Sequence, residues 1–363
     1  MSLVTFCERL IQLYIFVKRY NNLFSKIISF ENLYLAGRKA RKGKRFKENV
    51  MAFEENIEEE LFKLHNELIS KTYKPGNYRE FTIYERKPRK ISAAPYRDRV
   101  VHHALCNVIE PLFEKTFIND SYACRKGKGT HKAVERFTEF CRKNKYALKT
   151  DIRKYFPSID HEILFEKIKR KIKCEDTLWL VKMIIDGSNR QEETNDYFAG
   201  DGLFGPSERK KGIPIGNLTS QFFANVFLND LDHYVKEELH CRQYIRYVDD
   251  LTIFGNDKKE LWGIKGMIEM FLEQERLRLH PSKTYVLPVA AGIDHLGYRI
   301  FPTHRLLRKD NCIRFIRNLR SMMLLFRQRQ LPFSKLNASV QSWLGYAKYA
   351  DSFRLRSSIL SFP

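Results

Sequence analysis

Hydrophobic spacing changes period repeatedly along the chain, and each change marks an element. Leu10, Tyr14, Ile15 and Val17 recur among charged residues, which predicts an amphipathic helix within the first thirty residues. Ile57, Leu61, Leu64 and Leu68 predict a second helix. The turn signal Lys74-Pro75-Gly76 comes before a hairpin with strands at 81–84 and 90–93. Spacing is helical over 100–113, 163–172 and 177–185. Residues 191–211 are polar and glycine-rich, a loop or small hairpin, and 218–231 carries the aromatic and aliphatic face of a strong helix. A hairpin over 244–255, a helix over 259–277 and short strands through 300 follow. Leu319, Met322, Leu325 and Trp343 mark a basic, helical tail of about sixty residues. No repeat or low-complexity tract is visible, and helices alternating with short strands predict an α+β core.

Composition sharpens this. A length of 363 residues fits roughly two domains or one multi-part domain, and 43% hydrophobic content is ample for a core. Charge is the unusual quantity: 65 Lys+Arg against 43 Asp+Glu leave a net +22, which points to a polyanion such as nucleic acid. The 18 Tyr and 27 Phe offer both core filling and stacking platforms. The run Arg38-Lys39-Ala40-Arg41-Lys42-Gly43-Lys44-Arg45 reads as a phosphate contact or a solvated link. Cys7, Cys106, Cys124, Cys141, Cys174, Cys241 and Cys312 are scattered and never spaced as CxxC, which argues for reduced thiols rather than a disulfide framework or zinc site. Residues 10–17 are too short an apolar run to span a membrane, and the expectation is a soluble, cytoplasmic protein.

The chemistry concentrates in Tyr244-Ile245-Arg246-Tyr247-Val248-Asp249-Asp250-Leu251-Thr252-Ile253-Phe254-Gly255. Two adjacent carboxylates sit among β-branched and aromatic residues at a predicted hairpin. Alone, Asp249-Asp250 would read as a solvated turn. Asp151 changes that reading, because it ends another short apolar strand, Tyr146-Ala147-Leu148-Lys149-Thr150. Three carboxylates brought together require a neutralising cation, and hard divalent ions with oxygen ligands suit them. Two such ions form the clamp of in-line phosphoryl transfer.

The order of motifs then resembles a reverse transcriptase over nearly the whole chain after the N-terminal helix. Arg97-Asp98-Arg99-Val100-Val101-His102-His103-Ala104 resembles the first fingers motif of group II intron-like enzymes, and Ser121-Tyr122-Ala123-Cys124-Arg125-Lys126-Gly127-Lys128-Gly129 the second. Asp151-Ile152-Arg153-Lys154-Tyr155-Phe156 is similar to the metal-binding strand, and Tyr247-Val248-Asp249-Asp250 to the signature hairpin. Leu279-His280-Pro281-Ser282-Lys283-Thr284 resembles the lysine motif, and His295-Leu296-Gly297-Tyr298 the primer grip. The resemblance implies a right-hand polymerase: an N-terminal helical extension with a basic segment over 1–75, fingers over 76–145, a palm over 146–302 with inserted finger helices at about 163–211, and a short helical thumb over 303–363. It implies RNA-directed DNA synthesis with two Mg²⁺ ions. Asp151 and Asp249 would bridge both ions, Asp250 and the Ile152 carbonyl completing the set. Lys283 would protonate the departing pyrophosphate, and Lys90 and Arg97 would grip the triphosphate. Phe156 would exclude ribonucleotides sterically. Tyr247, Gly297 and Tyr298 would contact the primer, the glycine allowing close backbone approach.

One motif departs from the family pattern. Gly212-Ile213-Pro214-Ile215-Gly216-Asn217-Leu218-Thr219-Ser220-Gln221 has Ile215-Gly216 where most members have Gln-Gly, and Ser220-Gln221 where they have Ser-Pro. Replacing an amide by a β-branched alkyl group removes a polar contact to the incoming nucleotide and loosens base discrimination. In this the chain resembles reverse transcriptases of diversity-generating retroelements, which misincorporate opposite template adenines. Ile215 could instead simply fill a hydrophobic wall. That resemblance implies a structured template RNA, an RNA/cDNA duplex, deoxynucleoside triphosphates and a small, basic, oligomeric accessory protein as partners, and no membrane. A defence-associated polymerase making untemplated product and a non-catalytic RNA-binding protein are the alternatives.

Overall fold

A computed structural model describes residues 18–84, 88–189, 191–192, 194, 196–202 and 204–361. The helix expected around residues 10–17 lies outside them. Contacts divide the chain into two units: Met1–Ile118, Ile152–Tyr234 and Ile268–Leu279 in one, and Asn119–Asp151, Val235–Met267 and His280–Pro363 in the other.

The first unit is built on helices. Ser29 separates helices Phe24–Ile28 and Phe30–Ala40, its hydroxyl accepting from the Asn32 amide as an N-cap. Helix Ile57–Ile69 buries Leu61, Leu64 and Leu68 along one stripe, the spacing that predicted it. Of the basic run read as a phosphate contact or a solvated link, Arg38 to Ala40 close the helix that begins at Phe30, and the rest is turn. Lys74-Pro75-Gly76 takes no turn: the segment runs irregularly into strand β1, Arg79–Tyr84, which pairs antiparallel with β2, Pro88–Ala93. Helix Tyr96–Glu114 follows. Asp160 caps helix His161–Lys169 by accepting from the Glu162 and Ile163 amides at 3.0 and 3.2 Å. The strong helix expected over 218–231 ends at Phe227, and a separate short helix, Asn229–His233, begins after Leu228. That break aims Asp230 at the buried Lys167, 2.6 Å away, while Glu275 meets the same ammonium at 2.9 Å. An enclosed lysine is tolerable only when paired in this way.

The second unit holds the main sheet. Strands β3 (Tyr146–Asp151), β4 (Tyr244–Tyr247), β5 (Asp250–Gly255) and β6 (Tyr285–Pro288) form an antiparallel sheet in the order β4-β5-β3-β6. Helix Thr130–Lys143 covers it, packing Val134, Phe137 and Phe140 with Ala147, Ile245 and Phe254. Residues 119–145, set with the fingers on sequence grounds, thus pack here with the sheet. A second sheet, β7 (Ile293–His295), β8 (Tyr298–Ile300) and β9 (Arg305–Leu307), shares that core through Ile293, Tyr298 and Ile300. The tail forms helices Lys309–Arg327, Phe333–Ala347 and Phe353–Leu360. Phe315 and Trp343 stack at 4.1 Å in its small core. Among the described residues no helix is long and apolar enough to cross a membrane.

Candidate active site

The carboxylates meet because of strand register. Asp151 ends β3 directly opposite Asp250, the first residue of β5, and Asp250 also pairs with Tyr247 across the β4–β5 hairpin. Directly opposed residues bring their Cβ atoms to about 5 Å. Val248 and Asp249 form the two-residue tip. Val248 has φ 58°, left-handed backbone that a β-branched residue rarely adopts. Arg246, fully buried, donates from Nη1 to the Val248 carbonyl at 3.0 Å and secures the tip.

Electrostatics show how crowded this site is. Burial, and then the Asp151 charge, push the Asp249 carboxyl up to about 6. Burial also raises Asp250, whose Oδ1 is enclosed without a hydrogen-bond partner. The charge is met by two lysines. Lys283 lies 2.7 Å from Asp151 Oδ1, and Lys149 lies 2.7 Å from Asp250 Oδ2. Sequence reasoning expected metal ions to neutralise three clustered acids. In this structure ammonium groups neutralise two of them, and among the described residues no set of three side-chain donors is drawn close enough to hold an ion. The donor chemistry nonetheless fits a hard divalent cation: three carboxylates, one with an orphaned oxygen and one pushed up by burial and the neighbouring Asp151 charge.

Two contributors were missed. Lys149 was read only as part of an apolar strand, although strand alternation puts it on the same face as Asp151. His295 was read only as part of a turn motif. Its ring is buried, stacks on Phe137 at 4.2 Å, and stands 3.9 Å from Asp250 Oδ2, with burial holding it well below the usual histidine range.

The primer-contact candidates divide. Gly297 has φ 90°, and its carbonyl accepts from Tyr346 Oη at 2.7 Å and Asn311 Nδ2 at 3.2 Å. A Cβ there would collide with both donors. Tyr247 is half-buried, its hydroxyl 3.3 Å from Thr130 Oγ1. Tyr298 corrects the expectation, because its ring is fully buried in the sheet core and its hydroxyl donates to the Tyr346 carbonyl at 2.8 Å. That bond ties its side chain to helix Phe333–Ala347.

The nucleotide candidates belong to the other unit. There, segment 212–217 ties two of them to the β1–β2 hairpin. The Ile213 amide donates to the Phe156 carbonyl and the Ser92 amide to the Ile215 carbonyl, both at 3.0 Å. Gly216 has φ 117°, and a Cβ there would come within 2.8 Å of Ile91 Cγ2. Phe156 and Ile215 are half-buried, Gln221 is exposed and Ile152 is fully buried. Arg97 pairs with Glu67 beside the Tyr73 ring, and Lys90 lies 2.7 Å from Glu80. Both triphosphate candidates therefore have acidic partners here.

A mixed α+β chain whose antiparallel sheet presents Asp151 against an Asp249-Asp250 hairpin has the palm of a right-hand polynucleotide polymerase. The sequence matches the model of the reverse transcriptase (RNA-dependent DNA polymerase) family over residues 73–300, and the chain belongs to that family of RNA-directed DNA polymerases. Protein YkfC of Escherichia coli is 25% identical over 296 residues, covering 69% of this chain and 72% of that protein. The group II intron-encoded protein LtrA of Lactococcus lactis subsp. cremoris is 24% identical over 182 residues, 49% of this chain and 28% of LtrA. The putative COX1/OXI3 intron 1 protein of Saccharomyces cerevisiae is 22% identical over 229 residues, 61% of this chain and 25% of that protein. The chain thus spans about a quarter of these intron proteins. Among solved structures, truncated apo telomerase from Candida tropicalis is similar at TM-score 0.47 and 15% identity, covering 64% of this chain and 55% of that one.

Proposed function

We propose that this chain copies a template RNA into cDNA by divalent-metal-assisted nucleotidyl transfer, with reduced fidelity opposite template adenines. The observation that carries the catalytic part is the register pairing of Asp151 with Asp250 beside the strained Val248-Asp249 tip. Asp151, Asp249 and Asp250, with the Ile152 carbonyl, would hold two Mg²⁺ ions. When bound, such ions lower the pKa of a primer 3′-hydroxyl and offset charge on the departing pyrophosphate. Lys283 changes partners under this reading, moving from Asp151 to the leaving group, where its ammonium supplies a proton. Its exposure favours that movement, since its side chain is 46% accessible. Arg97 and Lys90 would likewise exchange Glu67 and Glu80 for the triphosphate.

The mutagenic reading rests on Ile215 and Gln221. Ile215 is held by its carbonyl to β2 while its side chain stays half-buried, so an alkyl group stands where the family's usual amide would donate. Cytoplasmic mutagenic retrohoming, with a structured template RNA and a basic oligomeric accessory protein, is the biological setting this implies. The test is primer extension on a mixed-sequence RNA with Mg²⁺ and four deoxynucleotides, products sequenced, beside Asp249→Ala. Template-dependent cDNA with errors at adenines, lost in the variant, supports the whole reading. Faithful cDNA removes the mutagenic part, untemplated product favours the defence-type alternative, and synthesis surviving in Asp249→Ala overturns the assignment of the hairpin.

A further inference from the structure

One face of the β3–β5 ladder grades from apolar to acidic. Ala147 pairs with Phe254 inside the core, Lys149 with Thr252 one step on, and Asp151 with Asp250 at the end. Lys149 is thus diagonal to Asp250, a separation of about 7 Å between Cβ atoms that its long side chain can span. Its ammonium lies 2.7 Å from Asp250 Oδ2 and 3.0 Å from the Asp294 carbonyl on β7. The side chain is 14% accessible, against 46% for Lys283 on Asp151. One ammonium is enclosed and anchored twice, the other exposed and held once. The buried His295 ring also borders Asp250, its Nδ1 3.9 Å from Oδ2, while Lys149 makes the closer contact.

We propose that Lys149 is a positioning residue for the carboxylate cluster: it fixes the rotamer of Asp250 and gives that acid a resident counter-charge. The pair leaves Asp250 with only its orphaned Oδ1 to offer, so divalent-ion affinity is set mainly by Asp151 and Asp249. The inference rests on the polymerase reading for its relevance, but its first readout does not need catalysis.

The experiment titrates Mn²⁺ by electron paramagnetic resonance into protein without nucleic acid, then measures steady-state synthesis. Lys149→Met removes one positive charge and the anchor on Asp250. Mn²⁺ should bind about tenfold tighter, the direction demanded by Coulomb's law for loss of a nearby like charge. Turnover should fall about tenfold or more while the deoxynucleotide KM stays within about threefold, because orientation rather than binding is lost. Lys149→Arg should restore both toward wild type. Against an Asp250→Asn background, adding Lys149→Met should cost nothing further, since coupled residues are non-additive. Unchanged Mn²⁺ affinity, or losses in the double variant that simply multiply, overturns the proposal. Lys149→Gln, which keeps a donor for the Asp294 carbonyl without the charge, serves if Lys149→Met does not fold. Should wild type itself make no Asp249-dependent product, the polymerase reading fails while the Mn²⁺ result still judges Lys149.

Discussion

Asp249→Asn is expected to stabilise the metal-free protein above pH 6 and to do nothing near pH 3. The sign follows from the direction of the shift. A carboxyl raised from 3.8 to about 6 on folding binds its proton more tightly in the native state than in the unfolded chain. Native stability therefore falls as pH rises from about 4 to 6, and the penalty is complete above that window. A shift of about two units corresponds to roughly 3 kcal/mol. Asp249 is half-buried, so water screens part of it, and about 1–2 kcal/mol is the realistic effect. The amide variant removes both the desolvated charge and its repulsion with Asp151. For a folding unit of this size that is a rise of roughly 3–8 °C in Tm.

The assay is thermal unfolding of wild type and Asp249→Asn in EDTA at pH 4, 5, 6, 7 and 8. The gap between the two curves should open between pH 4 and 6 and stay constant beyond. Adding Mg²⁺ at pH 8 should raise the wild-type Tm and close most of the gap, because a cation relieves the repulsion that the amide removes. A gap independent of pH would show that Asn acts through packing or hydrogen bonding. A destabilised variant at pH 8 would refute the claim that this carboxylate is electrostatically strained.

Other outcomes are expected at separate points. Asp249→Ala should abolish synthesis while RNA binding, read by filter retention, stays within a few-fold or tightens, since a negative charge is lost. Ile215→Gln should lower errors opposite template adenines in sequenced cDNA; an unchanged error spectrum would reduce Ile215 to a wall residue. Gly297→Ala should lose about 1–3 kcal/mol in urea unfolding, because φ 90° disfavours a side chain and its Cβ would strike Tyr346 and Asn311. Tyr298→Phe should lower stability by about 1 kcal/mol, the worth of its hydroxyl's bond to the Tyr346 carbonyl, and leave primer affinity unchanged in a gel-shift titration.

The strands bearing the acids were legible because short apolar, β-branched and aromatic runs border them, and the observed β3 and β5 keep those runs, with Leu251, Thr252, Ile253 and Phe254 all buried. What the local pattern could not supply was register. Nothing within either strand says that Asp151 faces Asp250 rather than a residue two positions away. That follows from the whole sheet closing on the core under helix Thr130–Lys143. The break after Phe227 was also invisible to hydrophobic spacing, since Leu228 and Leu231 continue the apolar run and are both buried. What accompanies it lies far away in sequence, the contact of Asp230 with Lys167.

Two misreadings share a more instructive origin, because the information was present and went unused. Period-two alternation places Tyr298 and Ile300 on one face and Arg299 on the other, and the structure buries the first two while exposing the third. An apolar partner two residues on was evidence that Tyr298 points inward, which a motif-level match to a primer grip overrode. The same alternation places Lys149 beside Asp151. An acid cluster predicted from sequence raises at once the question of its counter-charge, and the nearest candidate was already on the strand. Hard cations were considered because clustered carboxylates demand a counter-charge, whereas the protein's own ammonium groups were not. Bookkeeping of charge along β3 alone points to Lys149 as a counter-charge for the acids, while its pairing with Asp250 follows only from the register of the sheet.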